Sequence, residues 1–524
     1  MDCRQIVEAA YDNKPIPSEI ATTLDGIIYR TSHELASAIS KYSIEKNNFG
    51  KCYISPQYLK DTALEFHTKA GTLTESVLEN IQNLNEDTPI LRFSHQPNLF
   101  SSWGIVTQFI FNASVAEKLS GINGSKPAQI YIIVDYDVAE DSRFRVSHYP
   151  TPNMEGGSYI LSGVVNKIDY DKPIWMISKP DKDLIKKWLQ HLRILLHQEL
   201  QFLRKHNINE NRFGTLQQHL QDVEEVIWQA YDCAATLAEF NAIFLSKIVN
   251  NYWGLPTLFI PGHKLHRVMR EAFELCIELL PKINELANEG IKFYTERNIY
   301  IKTKSSNNSN IFPIWYLCQK CNRRVGLFIE SNNPLIVKGK CSSCSSIYHI
   351  YRPDKTSIDV EKFYESISPR ILIDNLLDVI AINTYGSTGY IGQAEHILLT
   401  NYVARALGWR IPPQSIWRPY SSNYCSGDIS SLVIIESNSK KELIERANCA
   451  TKLSFLSKGS LLYYLVNYGW SDLYDSWKHY FDHGGKVNGI YDNAEGTPFS
   501  LSDDLIKKLR NMFATCTTDP GVYK

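Results

Sequence analysis

The residues of this chain whose types and spacing speak most directly to chemistry are four cysteines in two pairs, Cys318-Gln-Lys-Cys321 and Cys341-Ser-Ser-Cys344. Two CxxC knuckles put four thiolates on a pair of tight turns, the arrangement that tetrahedral Zn2+ requires. Four thiolates leave no coordination position open for a substrate water, so the implied ion is structural rather than catalytic. The flanking residues read as a ribbon. Trp315 and Tyr316 lead in, a strand is expected over 326–329, Lys338-Gly339-Lys340 turns, and 347–351 closes. Lys320, Arg323, Arg324, Lys338 and Lys340 make the ribbon basic. That surface can touch nucleic acid, but the solvated face of a stapled insert is the plainer reading.

Three further strings carry groups that bind or move charge. His95-Gln96-Pro97-Asn98 follows a strand expected over 89–93 and precedes Gly104 and a helix expected over 105–119. There His95 and Asn98 can hold a phosphate or supply an acid, with backbone donors at the helix start. The alternative is turn chemistry around a satisfied histidine. Asp135, Asp137, Glu140 and Asp141 place four carboxylates just past the apolar run 129–134. Such a cluster can hold Mg2+, orient a ribose hydroxyl or bind an amino group. Asp141 can instead pair with Arg143 or Arg145 at the surface. Gly386-Ser387-Thr388-Gly389 reads as a small-residue loop and anion nest, ahead of a helix over 390–407 that carries Gln393 and Glu395. His263 and Lys264, just past a short strand at 257–260, could reach a phosphate, although an ordinary turn is the plainer reading. No Walker A, GxGxxG or GxSxG motif is present.

These strings act together only if the elements between them bring them to one place. Strand, loop, helix and strand open a βαβ unit, and the continuous apolar run suits a parallel strand buried on both faces. A doubly wound α/β sheet is therefore the expected fold. Its ligands lie beyond the carboxyl ends of the strands, the edge on which both 95–98 and 135–141 fall. Long helices are expected over 183–204, 217–250 and 265–289, and Lys302 to Asn310 reads as a polar linker. The expected organisation is a core over 1–180, a helical insertion over 181–256, core again over 257–310, the ribbon over 311–352, core completion over 353–420, and a mixed helical region over 421–524. Residues 1–85 look helical and moderately polar, with no chemistry to assign.

Bulk properties narrow the classes. The chain has 524 residues, 44% hydrophobic and 21% charged, which is ordinary for a globular protein with a sizeable core. Its formal net charge of −1 argues against a protein whose main task is to coat nucleic acid or dock on anionic membranes. Of the 11 cysteines, the seven outside the knuckles are scattered singly, which points to reduced thiols rather than a disulfide framework. The N-terminal segment lacks the charge and apolar pattern of a signal peptide, and no run is long enough to span a bilayer, so the cytoplasm is the expected compartment.

Taken in order, several of these regions resemble the bacillithiol-biosynthesis cysteine-adding enzyme family. The resemblance runs through His95-Gln96-Pro97-Asn98-Leu99-Phe100 with its Gly104 helix, through 132–141, through 236–267, and through Ser368-Pro369-Arg370 to the string YGSTGYIGQAEH ending at His396. It implies a Rossmann-like core related to class I nucleotidyl-transferase folds, with long helical insertions, and an ATP-linked or otherwise activated joining of an amino acid, cysteine in that family, to an amine. On that reading His95 and Asn98 contact nucleotide phosphates or an activated carboxyl. Asp135 and Asp137 hold the amine or a metal, Gln96 and Asp141 support binding, and 386–389 with Gln393 and Glu395 cradle an anion. Cofactors would be structural Zn2+ with ATP and Mg2+; partners would be small molecules, with no membrane, and a homo-oligomer is compatible. The ribbon is a departure from the family, and the coiled coil is shortened, so the amino acid can differ. An RNA- or tRNA-directed protein, with a class I-like core and a basic ribbon, is the second reading; a scaffold with a dead site is the third.

Overall fold

The computed structural model describes residues 31–44, 53–101, 103–124, 126–150, 158–205, 212–301, 311–332, 335–351, 360–390, 394–417 and 461–471, with positions 6, 16, 29, 474, 475 and 478. Gln393 and most of the C-terminal region at 421–524 lie outside the described residues.

In chain order the strands are β1 (Ile90–His95), β2 (Ala128–Ile133), β3 (Ser147–Pro150), β4 (Ser158–Leu161), β5 (Leu258–Pro261), β6 (Ile311–Leu317), β7 (Arg324–Asn332), β8 (Leu335–Lys340), β9 (Ile347–Tyr351), β10 (Ile367–Pro369), β11 (Thr384–Tyr390) and β12 (Gln414–Trp417). Five of them form one sheet in the order β12-β11-β1-β2-β5, every pair parallel. The chain moves outward from β1 through β2 to β5, then returns on the other side of β1 through β11 to β12. This is a Rossmann-like winding, and its direction reverses between β1 and β11.

The pleat explains why these residues make a two-faced core. Leu91, Phe93, Tyr131, Ile133 and Phe259 point to one face, among the helices Ser32–Ile44, Pro56–Ala70 and Trp103–Asn123. Ile90, Ile130, Ile132, Leu258 and Ile260 point to the other, against the helices Arg270–Glu278 and Ile371–Ala381. All six residues of β2 are buried, as a strand covered on both faces must be.

A second sheet, order β10-β6-β7-β8-β9, is antiparallel and carries the four cysteines. It reaches beyond the expected boundary at 352, because β10 pairs with β6 and ties this sheet to the helix Ile371–Ala381. Lys338-Gly339-Lys340 is part of β8 rather than a turn. Gly339 is needed there because a Cβ would lie 2.7 Å from Leu327 and 2.9 Å from Val325.

Two expected helices are divided. The one over 217–250 breaks at Ala234–Thr236, where Thr236 and Glu239 form a capping box that starts Leu237–Ser246. The one over 265–289 is three pieces, Gly262–His266, Arg270–Glu278 and Leu280–Glu296. The helices Lys182–Lys205 and Arg212–Cys233 pack through Leu189, Leu192, Leu196, Leu220, Val223 and Ile227. Among the described residues no helix is long and apolar enough to cross a membrane.

Candidate active site and metal centre

The four cysteine sulfurs converge within 4.8 Å of one another. Cys318 and Cys344 lie 3.4 Å apart, Cys321 and Cys341 3.5 Å, and Cys321 and Cys344 3.7 Å. Zinc–sulfur bonds of about 2.3 Å give a tetrahedron with edges of about 3.8 Å, so the thiols fit a metal site. The two knuckles repeat one local geometry. Asn322 and Ser345, each just past its CxxC, sit at φ 58° and 59°. Their N–H groups donate to Cys318 O at 2.8 Å and Cys341 O at 3.0 Å. Cys318 N and Cys341 N in turn donate to Arg323 O and Ser346 O. The Tyr348 hydroxyl lies 3.0 Å from the Cys318 sulfur, and hydrogen bonding with Ser346 holds the Cys344 thiol down to about 6.

The ribbon's basic residues are largely engaged. Arg323 reaches Asp171 at 3.1 Å, Arg324 reaches Asp137, and Lys338 lies 3.6 Å from Glu330. Lys320 and Lys340 remain exposed.

The second assembly lies at the carboxyl edge of the parallel sheet. His95 ends β1 with its Nδ1 3.0 Å from Gln96 O, and burial pushes its imidazole down to about 4, so it is neutral at pH 7. Gln96 donates to Asp137 Oδ2 at 2.6 Å. Asp137 Oδ1 also accepts from Arg324 at 3.1 Å, and the same guanidinium donates to Tyr136 O at 2.7 Å. Asp135, 3% exposed, is gripped by His263: its Oδ1 accepts the His263 backbone N–H at 2.9 Å, and its Oδ2 lies 2.5 Å from the ring Nδ1. The His263 ring stacks flat on Trp175, 4.6 Å between centroids. His263 is thus more than turn chemistry, because β5 ends beside β2 and delivers it onto Asp135.

The four carboxylates do not form one cluster. Asp135 turns to His263, Asp137 to Gln96 and Arg324, and Asp141 to Arg143, whose guanidinium approaches within 2.5 Å. Glu140 is exposed. The structure therefore separates the acids that the sequence places together, since each leaves the strand end in a different direction.

The loop after β1 is strained. Phe100 and Ser101 both have positive φ, 54° and 52°, although neither is glycine and both are buried. Asn98 is buried beside them with its Oδ1 lacking a hydrogen-bond partner among the described residues. Asn241 holds the loop by donating to Pro97 O at 2.8 Å.

Gly386-Ser387-Thr388-Gly389 is not a loop. It lies within β11, where its backbone is paired with β1 on one side and β12 on the other, so it cannot present a nest of free N–H groups. Gly386 is required because a Cβ would meet Ile39 at 2.3 Å. Ser387, Thr388 and Gly389 instead line a cleft of about 650 Å³ at the winding reversal, together with Arg92, Asp378 and Gln414. Several of its lining groups are buried without a partner among the described residues: Arg92 Nε, Thr384 Oγ1, Thr400 Oγ1, both amide atoms of Asn401, and Gln414 Oε1. Unpaired buried polar groups are costly, and their concentration in one cleft is what a polar ligand would satisfy. Glu395 stands in the first turn of the helix beyond, 3.7 Å from His396.

A second cleft, about 420 Å³, opens between the ribbon and the core, lined among others by Trp175, His263, His266, Arg267, Arg324 and Glu365. Tyr136 also lines it, and its hydroxyl donates to Asp374 at 2.6 Å. Burial raises the Asp374 carboxyl to about 6, with Asp137 adding to the effect and Tyr136 and Arg92 opposing it. Arg92 pairs with Asp378, a lining residue of the first cleft. Sequence reading missed Arg92, Tyr136, Trp175, Asp374 and Asp378. The signal available was Arg92, a charged residue inside an otherwise apolar strand. Compared with models of protein families and with curated proteins, the sequence matches none.

Proposed function

We propose that this chain is an enzyme joining an amino acid to an amino-bearing small molecule in an ATP-linked step, with cysteine as the first amino acid to test. The observation that carries the reading is the Asp135–His263 pair at the carboxyl edge of the sheet. A substrate amine is protonated at neutral pH and must lose a proton before it can attack. A buried carboxylate that grips one imidazole nitrogen orients the other as a base. One proton of the ammonium passes to solvent, the amine nitrogen bonds to the activated acyl carbon, the phosphate or AMP leaves, and the second proton passes to His263 Nε2. Gln96 and Arg324 hold Asp137 nearby, and the cleft between the ribbon and the core, which His263 itself lines with Arg267 and Arg324, is where the substrate would sit. ATP would supply the activation, with Mg2+ on its phosphates. The four thiols suit a structural Zn2+, and free thiols suit the cytoplasm. The resemblance to the cysteine-adding family supports the same chemistry. An RNA-directed role has less support, since Arg323 and Arg324 turn into the protein.

The test is incubation of zinc-loaded protein with ATP, Mg2+ and each amino acid, with and without a panel of amino sugars and amines, followed by analysis of the nucleotides. Amino-acid-dependent AMP or ADP is expected. No nucleotide turnover across the panel overturns the reading. If turnover is seen, folded His263→Ala, His95→Ala and Asp137→Ala variants with undiminished rates would remove those residues from the mechanism.

A further inference from the structure

Where the ribbon meets the core, two arginines share one indole. The Arg370 guanidinium carbon lies 3.7 Å from the centroid of the Trp315 ring, and that of Arg324 lies 5.1 Å from it. The pleat and register enforce this meeting. Trp315 on β6 pairs with Ser368 of β10 on one side and Gly326 of β7 on the other, and Arg370 N donates to Pro313 O at 2.9 Å.

The two cations are not equally served. Arg324 has Asp137 and Tyr136 O as partners. The Arg370 guanidinium makes no hydrogen bond or ion pair with any of the described residues, and its Nε is buried. Burial, and the like charge of Arg324, push its guanidinium down to about 10. Stacking on an aromatic ring offsets part of that penalty but satisfies none of the N–H donors. Space is kept open beside it by Gly326, where a Cβ would sit 3.8 Å from Arg370 Nη2 and 3.5 Å from Trp315. A half-buried cation with no acid beside it among the described residues, next to a second cation, favours the arrival of a negative group.

We infer that Arg370, with Arg324 beside it, forms a binding site for an oxyanion, a carboxylate or a phosphoryl group, on the seam between the four-cysteine sheet and the Rossmann-like core. The guanidinium fork matches two oxygens of either group. The site does not depend on the amide-forming reading, because it concerns binding alone.

Calorimetric titration of the full zinc-loaded chain at low ionic strength, with inorganic phosphate and separately with malonate, tests the site. Saturable binding of at least one is expected, with a matching rise in melting temperature. A stronger response to phosphate assigns a phosphoryl group, and a stronger response to malonate assigns a carboxylate. Arg370→Gln should weaken binding roughly tenfold or more, the worth of a charge-assisted hydrogen bond. Gly326→Val, which fills the space beside Nη2 and leaves both arginines in place, should weaken it too. Without added anion, Arg370→Gln should melt no lower than the unsubstituted chain, since an unpaired charge is gone. If neither anion binds, if folded Arg370→Gln binds as before, or if Arg370→Gln melts several degrees lower with no anion response in the parent, the arginine is only a stacking residue and the inference fails.

Discussion

The four-cysteine cluster and the carboxyl edge of the parallel sheet are built on opposite plans. In the ribbon, four thiols come from one short stretch of chain, and each knuckle repeats the same backbone bonds and the same left-handed position. At the sheet edge, the paired groups come from distant segments: His263 is 128 positions from Asp135, Arg324 is 187 from Asp137, and Asp374 is 238 from Tyr136. A local site is specified by spacing. A distributed site is specified by topology, and its partners are chosen by where strand ends converge.

The contrast predicts different failures. The largest effect is expected on removal of the metal. Structural zinc contributes on the order of 10 kcal/mol in small zinc domains, so chelation or Cys341→Ser should unfold the ribbon. Thermal melting with separate probes should show the ribbon lost while the helical signal of the core persists. Loss of both together would mean that the two regions are one cooperative unit.

At the edge, Gly262→Ala is expected to cost about 1–3 kcal/mol, the range for overpacking. A Cβ there would lie 2.7 Å from Ile133 O and 2.7 Å from the Tyr136 ring. Denaturant melts measure the loss. An unchanged midpoint would show that the strand end is looser than its packing implies.

A third test concerns pH. Burial raises Asp374 to about 6, above the ordinary carboxylate value. The folded chain therefore holds this proton more tightly than the unfolded chain, and the stability it contributes is lost as pH rises from about 4 through about 6. The neutral buried histidines His67 and His266, pushed down to about 3 by burial, slope the other way: their contribution is present above about 6.5 and is lost as pH falls towards 3. The difference between Asp374→Asn and the parent isolates the first group. It should be most favourable to the variant above pH 6 and shrink as pH falls towards 4. A pH-independent difference would leave Asp374 an ordinary carboxylate.

The smallest effect is expected in the ribbon. Ser345→Gly removes a left-handed non-glycine residue and should stabilise it by about 0.5–1 kcal/mol in the ribbon's melting transition. A loss of stability would show that the Ser345 side chain matters more than its backbone.

Much of the core was legible because its signals are local. The six-residue apolar run of β2 announces a strand covered on both faces, and the two CxxC pairs announce a metal. The helix over 217–250 was read as continuous because its apolar period survives the break, although Thr236 and Glu239 spell out the cap. Gly386-Ser387-Thr388-Gly389 was read as a loop because small residues suit turns. In β11 Gly386 has no side chain because Ile39 packs where one would stand.

What the sequence by itself determined is the set of parts: buried parallel strands, a four-thiol ribbon, and polar groups gathered at strand ends. Only the tertiary structure decided their partners. It sends neighbouring acids apart, to His263, to Gln96 with Arg324, and to Arg143, and it leaves Arg370 stacked on Trp315 without an acid among the described residues. The physical reason is that alternation and ligand spacing are properties of a short stretch of chain. Which charge meets which depends on how strands far apart in sequence are ordered side by side.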